Sequence, residues 1–186
     1  MIAIPLKNGT SLEVKLLASP FQEEGELMLQ MFFENKRVYS VCFSCTDQGS
    51  AWIGGIQGGK DIGNDEVKAL TKELYGTRPK NLIITLLYGL LRHFNIREIY
   101  AIDSDYHVKS DKVKASYSEL WLEIGGEKQR RGWYKLPGQE IKKSLEEVKS
   151  KHRSQFIKRE SLKEQAQLDL IAALQKITVG ESDNKP

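Results

Sequence analysis

The sequence predicts an α+β fold: a mixed sheet with an N-terminal antiparallel meander, one helical crossover, and a C-terminal helical appendage. Three observations carry that reading. Hydrophobic residues alternate at period two through the first third of the chain, two helical patterns then separate one strand-like run from the next, and from Gln139 the composition turns to helix formers. The implied boundaries are an α+β domain over 1–137, a basic amphipathic helical segment over 138–179 and a disordered polar tail over 180–186.

The meander is expected over Ser11–Leu17, Glu26–Phe33, Arg37–Cys45 and Ala51–Ile56, with turn chemistry at Pro20–Gly25, Asn35–Lys36 and Asp47–Ser50. Leu27, Leu29 and Met31 then share one face of their strand. The pattern changes at the glycine-rich Gly54–Asp61. Val67, Leu70 and Leu74 recur at helical spacing over Asn64–Tyr75, and Gly76 stands where a helix C-terminus favours glycine. Pro79 suits the first turn of a second helix, with Thr77 or Arg78 as its N-cap. Leu82, Ile83, Leu86, Leu87, Leu90, Leu91 and Phe94 form a stripe broad enough for burial on most sides.

Arg97–Asp103 follows as a short apolar strand. A strand, two helices and a strand close most naturally as a right-handed crossover between parallel neighbours. Tyr117–Ile124 reads as a short helix, Gly125–Gly126 as a turn and Gly132–Pro137 as the last strand. Beyond Gln139, Ile141, Leu145, Val148, His152 and Phe156 fit one helical face, and Ala166, Leu170, Ala173, Leu174 and Ile177 fit a shifted one. One bent helix and two successive helices fit equally well.

Composition narrows the functional classes. The 186 residues hold 28 Lys+Arg against 25 Asp+Glu, 40% hydrophobic residues and a net charge of +3, with a mean hydropathy of -0.45. Those values suit a soluble globular chain and argue against disorder or a general nucleic-acid binder. The longest apolar run, Leu82–Leu91, is about half of the roughly 20 residues a membrane span needs. Met1–Lys7 lacks the features of a secretory signal, so a cytoplasmic location is expected. The small excess charge conceals a local one: Lys142–Arg159 holds seven basic and two acidic residues.

Cys42 and Cys45 form a Cys-x-x-Cys, but on a strand they fall on opposite faces. Roughly 10 Å apart, they could neither pair nor share a metal. Reduced core residues and no metal site are expected.

Several segments resemble the VirK/YbjX family of bacterial proteins: Gly25-Glu-Leu, Ile53-Gly-Gly-Ile-Gln-Gly58, Thr71–Lys80 with its Gly-Thr-Arg-Pro-Lys, Gly132-Trp-Tyr-Lys-Leu-Pro137 and Lys149–Gln155. The resemblance implies a stress- or virulence-associated role, including survival of antimicrobial peptides, without a settled biochemical activity. Members are commonly longer, with a further N-terminal section. The order of elements also resembles the acetyltransferase-like fold of the GNAT superfamily, which implies an acyl-CoA or acyl-carrier donor with its phosphates at a helix start.

On that resemblance Gly76, Thr77, Arg78 and Lys80 are the candidate donor site, with backbone N–H groups and the positive helix end assisting Arg78 and Lys80. An additional helix and an incomplete glycine signature depart from the superfamily pattern. Asp103-Ser-Asp-Tyr-His107 follows the second parallel strand, where open α/β sheets place ligands. His107 and Asp103 are the candidate base and orienting carboxylate; a turn capped by Asp103 and Asp105 is the structural alternative. Gln57 and Lys60 should open at the same sheet edge, under Tyr117 or Trp121. The competing function is a non-catalytic module whose basic C-terminal helix binds a protein partner or an anionic surface. The partner classes are thus an unidentified protein or an anionic small molecule, with no specific nucleic acid.

Overall fold

The computed structural model describes residues 1–108 and 117–180, with side chains as far as Lys176. The polar tail expected after Gly180 lies outside the described residues. Among them an eight-stranded sheet forms in the order β1-β2-β3-β4-β5-β6-β8-β7. Its members are β1 (Ile2–Pro5), β2 (Ser11–Ala18), β3 (Leu27–Phe33), β4 (Lys36–Cys45), β5 (Ser50–Gly58), β6 (Glu98–Ile102), β7 (Glu127–Lys128) and β8 (Trp133–Leu136). Only β5 and β6 pair in parallel. The helices are α1 (Asn64–Glu73), α2 (Pro79–His93), α3 (Tyr117–Glu123) and α4 (Arg153–Gly180).

The meander is therefore as expected, with additions at both edges. β1 and the two-residue β7 carry too few alternating positions to be read from sequence. Glu34 and Asn35 join β3 to β4 with φ of 49° and 63°. Two successive positive φ values match the twist of a hairpin.

β5 carries the irregularity that matters most. Cys42 pairs with Gly55 while Phe43 pairs with Ile53, so Gly54 is an extra residue, a β-bulge. The parallel ladder with β6 runs from Ser50–Glu98 to Ile53–Ala101, and β5 continues to Gly58 beyond it. The two parallel strands thus part company at the bulge.

Between them the chain forms α1 and α2. Tyr75 and Gly76 are both left-handed, at φ 53° and 84°, and Gly76 N–H donates to the Thr71 carbonyl. That stops α1 one turn before α2 begins, with Arg78 as N-cap and Pro79 at the first turn. Residues Leu82 to Leu91 are buried on every side, because the sheet covers one face of α2 and α4 the other. Each fully buried leucine contributes about 2 kcal/mol through the water it sheds. Trp121 of α3 closes the core beside β6 and donates its indole N–H to the Ile102 carbonyl at 2.8 Å.

The C-terminal segment differs from expectation at its start. Residues 138–149 are irregular, α4 begins only at Arg153, and Ile141 and Leu145 are exposed. The segment has its side chains engaged one by one along the outside of the domain: Glu140 with Thr85 and Lys163, Lys142 with Glu164, and Ile141 against Gly125. α4 itself packs on α2 and β1, and Ala166 and Leu170 belong to the main core. Gln167, 7% exposed, donates to the Thr85 carbonyl at 2.6 Å. Cys42 and Cys45 are not joined in a disulfide and lie on opposite faces of β4. No helix among the described residues is long and apolar enough to cross a membrane.

Candidate functional site

The bulge in β5 exists beside an incoming carboxylate. The β2–β3 connection brings Glu24 against Gly54 and Gly55 of β5, and Gly25 follows with φ 150° hard against the Phe43 backbone. Any Cβ on Gly54 would collide with the Glu24 carbonyl oxygen. A Cβ on Gly55 would stand 2.6 Å from Glu24 Oε2 and 3.2 Å from His107 Nε2. The Gly-Gly of Ile53–Gly58 is therefore a space requirement, because a side chain at either position would displace Glu24.

Glu24 and His107 meet in this space. His107 Nε2 lies 3.7 Å from Glu24 Oε1, and the two side chains are 0% and 1% exposed. Gln57 donates its amide to both carboxylate oxygens, at 3.1 and 3.3 Å. The Tyr117 ring meets the imidazole edge-on at 5.8 Å. Burial pushes the Tyr117 hydroxyl up to about 12, against an opposing backbone hydrogen bond from Ile56 and assisted by the Glu24 charge. Tyr117 is thus held neutral.

The carboxylate beside His107 is Glu24, not Asp103. Asp103 lies at the end of β6, where it accepts hydrogen bonds from Ser118 Oγ at 2.8 Å and from the Asp105 N–H at 3.4 Å, with Lys128 Nζ 3.2 Å away. Burial alone would raise its pKa. Ser118, Lys128 and the Asp105 N–H outweigh burial and hold it below the ordinary carboxylate range. It caps the turn Ser104–Tyr106 that delivers His107.

The other expected residues divide between two places. Of Gln57, Lys60 and Asp103–His107, expected to open into one cleft, Gln57 and His107 each meet Glu24 and the Tyr117 ring contacts the imidazole, while Lys60 is exposed in the bend after β5. Gly76, Thr77 and Arg78 instead open onto a separate cleft against α4, which neither Gln57, Lys60, Lys80 nor His107 lines. Lys80 is half-buried in the first turn of α2. Arg78 reaches Glu123 at 3.7 Å, and Gln155 donates to the Tyr75 carbonyl. Glu24 was not singled out from sequence; its one signal was a glycine pair inside a strand, which marks close approach by another group. Among the described residues no group of three or more His, Cys, Asp or Glu could hold a metal ion.

A bulged strand parting from its parallel neighbour, inside a mixed sheet with antiparallel flanks and helices packed on it, defines an α+β architecture. The chain belongs to the family described as "Protein of unknown function (DUF535)", whose model matches residues 1–172. It is 28% identical over 167 residues to YbjX of Escherichia coli, covering 82% of this chain and 51% of that protein. A Haemophilus influenzae protein is 30% identical over 141 residues, covering 73% and 48%. The chain thus spans about half the length of the curated relatives it matches. Among solved structures, two mutants of a cAMP-binding acyltransferase from Mycobacterium smegmatis superpose with TM-scores of 0.47 and 0.44 at 8% and 7% identity. They cover 89% of this chain, and 56% and 55% of theirs.

Proposed function

We propose that the chain is an acyltransferase-like enzyme whose acid–base centre is the Glu24–His107 pair, with the acyl thioester of a CoA or acyl-carrier donor entering where β5 and β6 separate. One observation carries this reading: a carboxylate–imidazole pair, fully enclosed, built at the carboxyl end of the parallel strands over a glycine pair that makes room for it. Crevices at that end of parallel strands are where such sheets take ligands.

In the reaction, the acceptor N–H or O–H attacks the thioester carbonyl, the new C–N or C–O bond forms and the C–S bond breaks. His107 takes the acceptor's proton, and Glu24 stabilises the imidazolium that results. Gln57 fixes the carboxylate through its two amide contacts. The imidazolium then returns that proton to the departing thiolate, and the Tyr117 ring packs edge-on against the imidazole beside them. A stress- or virulence-associated role and a cytoplasmic setting belong to the same proposal, and rest on the family resemblance.

The test is thiol release from acyl-CoA and acyl-pantetheine thioesters in the presence of amine and alcohol acceptors. Release should be acceptor-dependent and fall about a hundredfold or more in His107→Gln. Absence of release across the donor series, or full activity in His107→Gln, rejects the proposal.

The second reading, a docking module, is favoured by Lys151, Arg153 and Lys158, which are exposed around the start of α4. Much of the neighbouring basic charge is already paired within the chain, Lys142 with Glu164, Arg159 with Glu160 and Lys163 with Glu140. Charge available to an anionic partner is correspondingly smaller.

A further inference from the structure

Where α4 crosses the outer face of α2, the two helices do not close on one another. They leave a cleft of about 540 Å³, bounded at one end by the C-terminus of α3 and along one side by residues 140–143. Small-molecule sites commonly occupy roughly 300–1,000 Å³.

Its walls hold polar atoms with nothing to bond. Thr77 and Tyr88 are 5% and 7% exposed, and neither hydroxyl has a hydrogen-bond partner among the described residues. Asn81 Oδ1 and Glu140 Oε2 are likewise buried and unpartnered on the same walls. Buried polar groups are nearly always satisfied, and leaving one bare is costly. Four in one cleft describe the complement of a ligand: two hydroxyls able to donate, and two oxygens able only to accept.

The electrostatics select its charge. Arg78, Lys142, Lys143, Arg159 and Lys163 line the cleft against three carboxylates, those of Glu123, Glu140 and Glu160. The N-terminus of the 15-residue α2 adds its positive end at Thr77 and Arg78. Lys163 is committed to Glu140 at 2.6 Å, but Arg78 is only 3.7 Å from Glu123 with its side chain 65% exposed. A guanidinium so loosely held is free to turn onto a phosphate and grip it with two parallel hydrogen bonds.

We infer that this cleft binds a small phosphate ester carrying hydroxyl groups, of the sugar-phosphate class. The phosphate lies at the start of α2 on Arg78 and Thr77, and the hydroxyl-bearing end reaches Asn81, Tyr88 and Glu140. The site is separate from the Glu24–His107 centre and does not depend on acyl transfer.

The test uses the full chain and three probes, ribose 5-phosphate, ribose and inorganic phosphate, by calorimetry and thermal shift. Ribose 5-phosphate should bind and raise Tm, inorganic phosphate should bind more weakly, and ribose should do neither. Arg78→Gln should weaken the ester about tenfold, the effect of losing one charged hydrogen-bond pair, and Tyr88→Phe should weaken it as well. Should the buried Tyr88 variant not fold, the exposed Arg78→Gln decides alone. Absence of ester binding, equal affinity for inorganic phosphate, or an unchanged Kd in Arg78→Gln overturns the inference.

Discussion

Gly55 and Glu24 occupy adjoining space so closely that a single methyl group on Gly55 would lie 2.6 Å from the Glu24 carboxylate. Gly55→Ala must therefore move Glu24 off His107 or bend β5. A loss of about 1–3 kcal/mol is expected, the usual penalty of overfilling a packed site. Urea denaturation of the variant measures it; stability equal to the parent would show that Glu24 has room to spare.

Trp121 is 0% exposed, and its indole N–H is spent on the Ile102 carbonyl at the end of β6. Trp121→Phe removes both ring volume and the donor. The expected cost is about 2–4 kcal/mol, combining a cavity with a buried acceptor left bare. Chemical denaturation followed by far-ultraviolet dichroism reads this cost without relying on the altered fluorescence.

The Tyr117 hydroxyl has a folded-state pKa pushed to about 12 by burial, against roughly 10 in an unfolded chain. The folded state thus holds this proton more tightly. Its contribution to stability is complete below about pH 10 and is lost as pH rises through about 12. Tyr88 is displaced in the same direction by burial and by Glu140. Alkaline unfolding should be steep across this window in the parent and shallower in Tyr117→Phe. Equal slopes would show that Tyr117 ionises without strain.

Asp103 works at the other end of the scale. Its folded-state pKa is lowered despite burial, because Ser118, Lys128 and the Asp105 N–H favour the ionised form. The stabilisation is present above the unfolded value, about 3.9, and disappears as pH falls through the folded one. Asp103→Asn should flatten the acid limb of the stability profile. An acid limb identical to the parent's would assign that transition to other carboxylates.

Much of this architecture was legible in the sequence, for identifiable reasons. The meander followed from alternation, the start of α2 from Pro79, and the turn after α1 from Gly76, each a local preference with little competition. Glu24 escaped because its partners lie far along the chain: Gln57 is 33 residues away, and nothing in Glu23–Glu24 distinguishes a buried carboxylate from a solvated turn. Asp103 illustrates the reverse, a residue whose neighbour in sequence, His107, is not its partner in space. The irregular 138–149 segment was equally hidden, since its apolar spacing imitates a helix while its side chains are taken up by Thr85, Lys163 and Gly125.

Gln167 shows how α4 is tied on. Its amide nitrogen donates to the Thr85 carbonyl at 2.6 Å, and its side chain lies against Gly89, where a Cβ would approach within 2.7 Å. Gln167→Ala should cost about 1–2 kcal/mol by baring a buried carbonyl. Thermal or urea unfolding would register the change, and a variant as stable as the parent would mean water replaces the amide there.

The seating of α4 against β1 also sets the timing of folding. Ile2 and Ile4 are 8% and 1% exposed, and residues 1–3 share a surface hollow with Asp169, Ala172, Ala173 and Lys176. β1 thus gains this cover only once α4, far along the chain, has followed it off the ribosome. Until then α2 has one apolar face bare, and the nascent chain depends on slow, long-range closure.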